Sequence, residues 1–139
     1  MSGLAVSLKT IFAKKVDEAD RARVLAAHFP IAFVRFENFV QLLAEKICLQ
    51  YHNEPWDFFE LSNGGFYMAP ATLKQYTVDI PFGRRYSGVL SNDAFGIVCC
   101  MYAFCFLADQ DEHLVHHYLW LMDYYQAHAE LAKIWWAVD

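Results

Sequence analysis

The chain has 139 residues, 57% of them hydrophobic and 17% aromatic, and a formal net charge of −5 from sixteen acids and eleven bases. That length predicts one domain over residues 1–139 with a sizeable core, and the apolar share excludes a disordered chain beyond the first few residues. The charge excludes a basic stripe for nucleic acid, and it is too sparse to imitate duplex DNA, which carries about one charge per 1.7 Å.

Residues 1–13 are small and apolar without a clear period, so a short edge strand and a loose tail both fit. The run from Val16 to Leu25 joins good helix formers to an acidic start and predicts a short helix that stops before Pro30. In residues 35–51, Phe36, Phe39, Val40, Leu43, Ile47 and Tyr51 recur at helical spacing, which predicts an amphipathic helix. Residues 56–70 hold two aromatic-rich runs around Ser62-Asn63-Gly64-Gly65. Asn-Gly predicts a β-hairpin with a type I′ turn, ending at Pro70, which cannot donate to a ladder.

Gln75 to Ile80 alternates and reads as a third strand, and Arg85 to Leu90 reads as a fourth. Together they predict an antiparallel meander of three or four strands with one buried face. Ser91 or Asn92 can cap the helix that follows, and Asp93 suits its first turn. The run from Ala94 to Ala108 is apolar on every side but shorter than the ~20 residues needed to span a bilayer, so it predicts a buried core helix. Ala94 and Gly96 would let a neighbouring element come close. Residues 113–127 predict another amphipathic helix, and 129–138 a last short one bearing Trp135 and Trp136. The fold class expected is α+β, with a small meander packed on the apolar helix and amphipathic helices around it.

His113, His116 and His117 form the strongest metal candidate, since Asp109, His113 and His117 follow i, i+4, i+8 on a helix. The stretch lacks the His-Glu-x-x-His arrangement that supplies a general base, and a polar helix face explains it as simply. Cys99, Cys100 and Cys105 sit in an apolar helix, which raises a thiol pKa and makes it inert; nothing places His28 or His128 beside Cys48. None of the four cysteines forms a CxxC pair, and no apolar core of signal-peptide length follows Met1. Reduced thiols in a cytoplasmic protein are expected. The 62–65 turn joins two strands with no basic residue nearby, unlike a phosphate cradle. Asp57 and Glu60, at i and i+3 on a strand, point to opposite faces and do not share a site. Arg84-Arg85 is a small basic tip read as a solvated turn. No constellation argues for an enzyme, and no catalytic residue, cofactor or metal is assigned. Abundant tryptophan and tyrosine leave room for a protein-interaction surface.

Trp56-Asp-Phe-Phe-Glu-Leu-Ser-Asn-Gly-Gly-Phe-Tyr-Met-Ala-Pro70, followed by Leu90-Ser-Asn-Asp-Ala-Phe-Gly-Ile97, resembles the signature of the ArdB/KlcA antirestriction family. The stretches from Tyr118 to His128, Ala137-Val138-Asp139 and Arg21 to Phe29 are similar to that family too, so the resemblance covers roughly residues 16–139. It implies a protein of plasmids or genomic islands that protects incoming DNA from type I restriction–modification enzymes. It also implies an α+β fold with a small antiparallel sheet and no strongly acidic DNA-mimic surface. Family members often have proline after the C-terminal histidine, where this chain has Ala129, which would let the last two helices run together; the Cys99-Cys100…Cys105 tract also lies outside the motif.

The expectation is therefore antirestriction through contact with the restriction machinery or a factor controlling it, without direct nucleic-acid or membrane binding. Asn63, Gly64 and Asp139 are the expected interaction residues. The alternatives are a metal-dependent hydrolase using His113, His116 and His117, and a structural or adaptor module.

Overall fold

Elements come in blocks along residues 10–138, which the computed structural model describes. Of the N-terminal tail or edge strand expected over 1–13, residues 1–9 lie outside the described residues. The strand β1 (Ala13–Lys15) is an edge strand. A 3-10 turn over Glu18–Asp20 leads into α1 (Arg21–His28), and α2 (Phe33–Ile47) follows. The strands β2 (Trp56–Leu61), β3 (Phe66–Pro70), β4 (Gln75–Ile80) and β5 (Tyr86–Ser91) come next, then α3 (Asn92–Phe106), α4 (His113–Tyr125) and α5 (Leu131–Val138). The class is α+β, as predicted.

The expected meander is divided. β1, β2 and β3 make one antiparallel sheet in that order, and β4 and β5 make a separate hairpin. The cause lies at the outer edge of β3, where α3 takes the place of a fourth strand. The Met68 N–H donates to Cys100 Sγ at 3.4 Å, and the same thiol donates to the Met68 carbonyl at 3.5 Å. Asn92 Nδ2 donates to the Pro70 carbonyl at 2.9 Å. With those edge groups bonded, no ladder is left for β4 to extend. Gly96 permits the approach: a Cβ there would lie 2.4 Å from Ala69 Cα and from the Met68 carbonyl oxygen.

The hairpin between β2 and β3 also turns differently from the prediction. Gly64 has φ +103°, whereas Asn63 is not in the left-handed region. The Gly64 N–H donates to the Leu61 carbonyl at 3.0 Å, and the Leu61 N–H donates to the Gly65 carbonyl at 2.9 Å. This is the three-residue loop in which a β-turn precedes a left-handed glycine, and not a type I′ turn. Asn63 is drawn out of the two-residue form by its side chain, whose Oδ1 accepts from the Gly65 N–H at 3.0 Å.

The predicted apolar helix is the centre of the core. Every residue of α3 from Ala94 to Phe104 is buried. Ser91 caps it, its Oγ accepting from the Ala94 N–H at 3.1 Å. Tyr76 of β4 stacks on Phe95 with centroids 4.7 Å apart, and Phe36 of α2 stacks on Phe104 at 5.2 Å. α2 ends four residues before the predicted Tyr51, which turns inward and accepts from Trp56 Nε1 at 2.7 Å. Buried Asp111 serves two helix starts at once. Its carboxylate accepts from the N–H groups of Ile31 and Ala32 ahead of α2 and of His113 at the start of α4. Burial pushes its pKa up, but these bonds and the His113 ring outweigh that and hold it below the usual carboxylate range. The last two helices do not run together. A turn over 126–130 separates them, because His128 and Glu130 are committed elsewhere.

Candidate functional site

Residues from three stretches of the sequence meet at the start of α3. Asp93, in its first turn, accepts from the Tyr67 hydroxyl of β3 at 2.7 Å and from His128 Nε2 at 2.8 Å. The Glu130 N–H donates to His128 Nδ1 at 2.9 Å, so the ring proton sits on Nε2. The Glu130 carboxylate accepts from the Ser91 N–H at 3.0 Å and, in a shorter bond, from the Ser91 hydroxyl.

An acid, a histidine, a tyrosine and a serine in contact would suit nucleophilic catalysis if one were free. None is. Both nitrogens of His128 are occupied, so it has no lone pair with which to take the Ser91 proton. Burial, with the Asp93 charge beside it, pushes the Tyr67 phenol far above its ordinary range and keeps it protonated. The cluster acts as a clamp that ties the start of α3 to β3 and to the turn before α5.

The three helical histidines go to different places. His117 is buried, its ring centroid 4.6 Å from Phe29, 5.0 Å from His28 and 5.1 Å from Trp120. Its Nδ1 has no partner. Burial first, then the neighbouring His28 and His113 charges, push its pKa down to about 3. His113 Nδ1 pairs with Asp111 at 2.8 Å, and His116 is exposed beside Trp120. Among the described residues no three His, Cys, Asp or Glu side chains come together so as to hold a metal ion. His28 pairs with Glu60 at 2.7 Å, and Asp57 bonds Arg21 and Lys15, so the two hairpin carboxylates are engaged separately. Cys48, Cys99 and Cys100 are buried, and burial pushes the Cys100 thiol up to about 12; Cys105 is exposed.

Asn63 and Gly64 sit against α4. Asn63 Nδ2 donates to the Trp120 carbonyl at 2.9 Å, and a Cβ on Gly64 would meet the Trp120 ring at 3.4 Å. Gly64 remains solvent-exposed and Asn63 half-buried. Asp139 lies outside the described residues.

On another face a groove passes between α2 and the β4–β5 loop. A cleft of about 400 Å³ is walled by Phe39, Leu42, Leu43 and Lys46 of α2 and by Phe82 and Phe106. A second, of about 170 Å³, shares Phe82 and Phe106 and continues past Tyr102 and Cys105 to Tyr118. Leu42 is 65% exposed and Phe106 57%, large for apolar side chains in a groove.

A family model described as antirestriction protein matches residues 49–139. The chain belongs to the antirestriction protein family. It is 37% identical over 139 aligned residues to an antirestriction protein KlcA of Escherichia coli, covering 93% of this chain and 94% of the relative. A second Escherichia coli KlcA is 32% identical, with 93% and 95% covered. A solved structure matches with a TM-score of 0.83 at 33% identity, covering 94% of this chain and 96% of that one. It comes from work on KlcA and ArdB reporting a novel fold and antirestriction activity against type I DNA restriction systems in vivo but not in vitro.

In this family member the stretches that carry the resemblance supply Tyr67, Ser91, Asp93 and His128 of the clamp, the hairpin loop, and Met68 and Gly96 of the β3–α3 contact, whereas Glu130 and Cys100 lie outside them. The pairings that join them, Asp93 to His128 and Ser91 to Glu130, escape a single sequence because their partners are 35 and 39 residues apart. The one local hint was Ser91 and Asp93 as a cap and first-turn acid. The groove is hidden differently: by periodicity Phe39 belongs to the apolar stripe of 35–51 and Phe106 to the all-apolar run.

Proposed function

We propose that this chain relieves type I restriction of incoming DNA inside the cell by contacting a protein, either the restriction machinery or a factor that controls it. The observation that carries the reading is the match along nearly the whole chain to KlcA, together with a closely similar fold whose reported activity appears in vivo but not in vitro. An effect confined to the cell is what a contact needing a further cellular component would produce. DNA mimicry is disfavoured by the charge, since five net negative charges fall far short of a duplex surface. An enzymatic reading is disfavoured by the committed hydrogen bonds of the clamp and the separated histidines. The test is plating of unmodified phage on a strain with an active type I system. Expression of this chain raises plating efficiency; equal efficiency with and without it overturns the reading.

A further inference from the structure

Apolar side chains outside the core gather around the groove between α2 and the β4–β5 loop. Leu42 and Phe106 stand out on it, and Phe106 packs against Phe39 with ring centroids 5.7 Å apart. Beyond Phe106 the second cleft ends at Tyr118 of α4 and Val138 of α5. Each of these has an apolar neighbour one turn away: Val115 lies at i−3 from Tyr118, and Trp135 at i−3 from Val138. Leu119 continues the α4 row at i+4 from Val115. All three are about half exposed. Single exposed apolar residues are ordinary, but a continuous field of them on a monomer is rare.

The two sides of the groove differ in charge. On α2, Lys46 follows Leu42 at i+4 and lines the first cleft, whereas exposed Glu45 borders a separate one with Cys48 and His52. On α4, Glu112, Val115, Leu119 and Asp123 follow i, i+3, i+7, i+11, so two exposed acids bracket the apolar pair on one helix face. Among the described residues Lys46, Glu112 and Asp123 take part in no ion pair. The α4 edge is an apolar row between acids, and the α2 side is an apolar cleft with a cation at its rim. Each is what the other would bind.

We propose that this face joins two copies of the chain about a two-fold axis near Phe106, the α4 edge of each seated in the α2 cleft of the other with Lys46 opposite the α4 acids. Both halves border one groove, on either side of Phe106, so a half-turn exchanges them. The contact then closes on itself instead of running on into a filament. The aromatic content suits the core of such an interface, and the opposite charges set its register. Restriction relief requires only contact with a further protein, so this inference stands apart from the proposed function, and its test measures no activity.

The test is sedimentation velocity of the full chain between about 1 and 100 μM, a range that resolves the dissociation constants of modest interfaces. The sedimentation coefficient is expected to rise from that of a monomer to that of a dimer across it. Leu119→Asp is expected to leave a monomer at about 100 μM, with the melting temperature of dilute protein unchanged. Lys46→Glu is expected to raise the dissociation constant about tenfold. Adding Glu112→Lys or Asp123→Lys is expected to bring it back within about threefold of the parent's, which identifies the acid that Lys46 meets. A parent chain that stays monomeric, a dimer untouched by Leu119→Asp or Lys46→Glu, or rescue by neither acid exchange would each overturn the proposal.

Discussion

Gly96→Ala adds one methyl where α3 meets the backbone of β3. The new Cβ would stand 2.4 Å from Ala69 Cα, Ala69 Cβ and the Met68 carbonyl oxygen. Ordinary contact begins near 3.4 Å, so strand and helix must part by about 1 Å. Two of the three obstructing atoms are backbone, and moving them stretches the Cys100 bonds to Met68 as well. Overpacking of this kind costs roughly 1–3 kcal/mol, and backbone obstruction puts it at the upper end. Better helix propensity returns at most about 1 kcal/mol. The net expectation is destabilisation of about 2 kcal/mol, or roughly 6–8 °C in melting temperature for a domain of this size. Gly88→Ala is the control. There the added atom meets the Tyr86 hydroxyl at 2.6 Å, the far end of a side chain that can swing aside. Urea titrations of the two variants and the parent settle the matter. A Gly96→Ala midpoint equal to or above the parent's would refute the account of how α3 seals the β3 edge.

His117 sets an acid limit on stability. Its folded pKa of about 3 lies below the unfolded value near 6.5, so between those pH values the unfolded chain binds a proton that the native state does not, and stability falls as pH falls, by up to about 1.4 kcal/mol per unit. His117→Phe keeps a ring in the aromatic cluster and removes that slope: on going from pH 6.5 to 4.5 the variant is expected to lose about 2 kcal/mol less than the parent, and parallel losses would show that His117 is not buried neutral. Asn63→Ala removes one bond to the Trp120 carbonyl and one to the Gly65 N–H, with an expected cost of about 1–2 kcal/mol in denaturant titration. A neutral result would mean that the hairpin loop is not fastened to α4.

Local pattern carried most of the elements. Alternation marked β4 over the observed Gln75–Ile80, and continuous apolarity marked α3 as the central helix. Gly96 was legible as a place of close approach because a small residue in a bulky helix has few other uses. The division of the strands into two sheets was not legible, since it depends on a thiol 32 positions away reaching a strand edge. The hairpin loop misled because Asn-Gly favours type I′ locally, whereas the Asn63 side chain bonds both Gly65 and α4 in the longer form. The groove between Phe39, Leu42 and Lys46 on one wall and Phe82 and Phe106 on the other was not legible either. Periodicity shows which residues share one helix face and is silent on which elements face each other across a groove.

The claim that this protein acts by contact with a protein and not by imitating DNA is tested most directly by neutralising exposed acids. Asp109→Asn, Glu112→Gln and Asp123→Asn together remove three negative charges from solvent-exposed positions outside the clamp. Plating efficiency of unmodified phage on a type I restricting strain is then compared with that given by the parent chain at equal protein level. The account predicts relief equal to the parent's. Relief that falls with each charge removed would contradict it and point to a surface read as DNA.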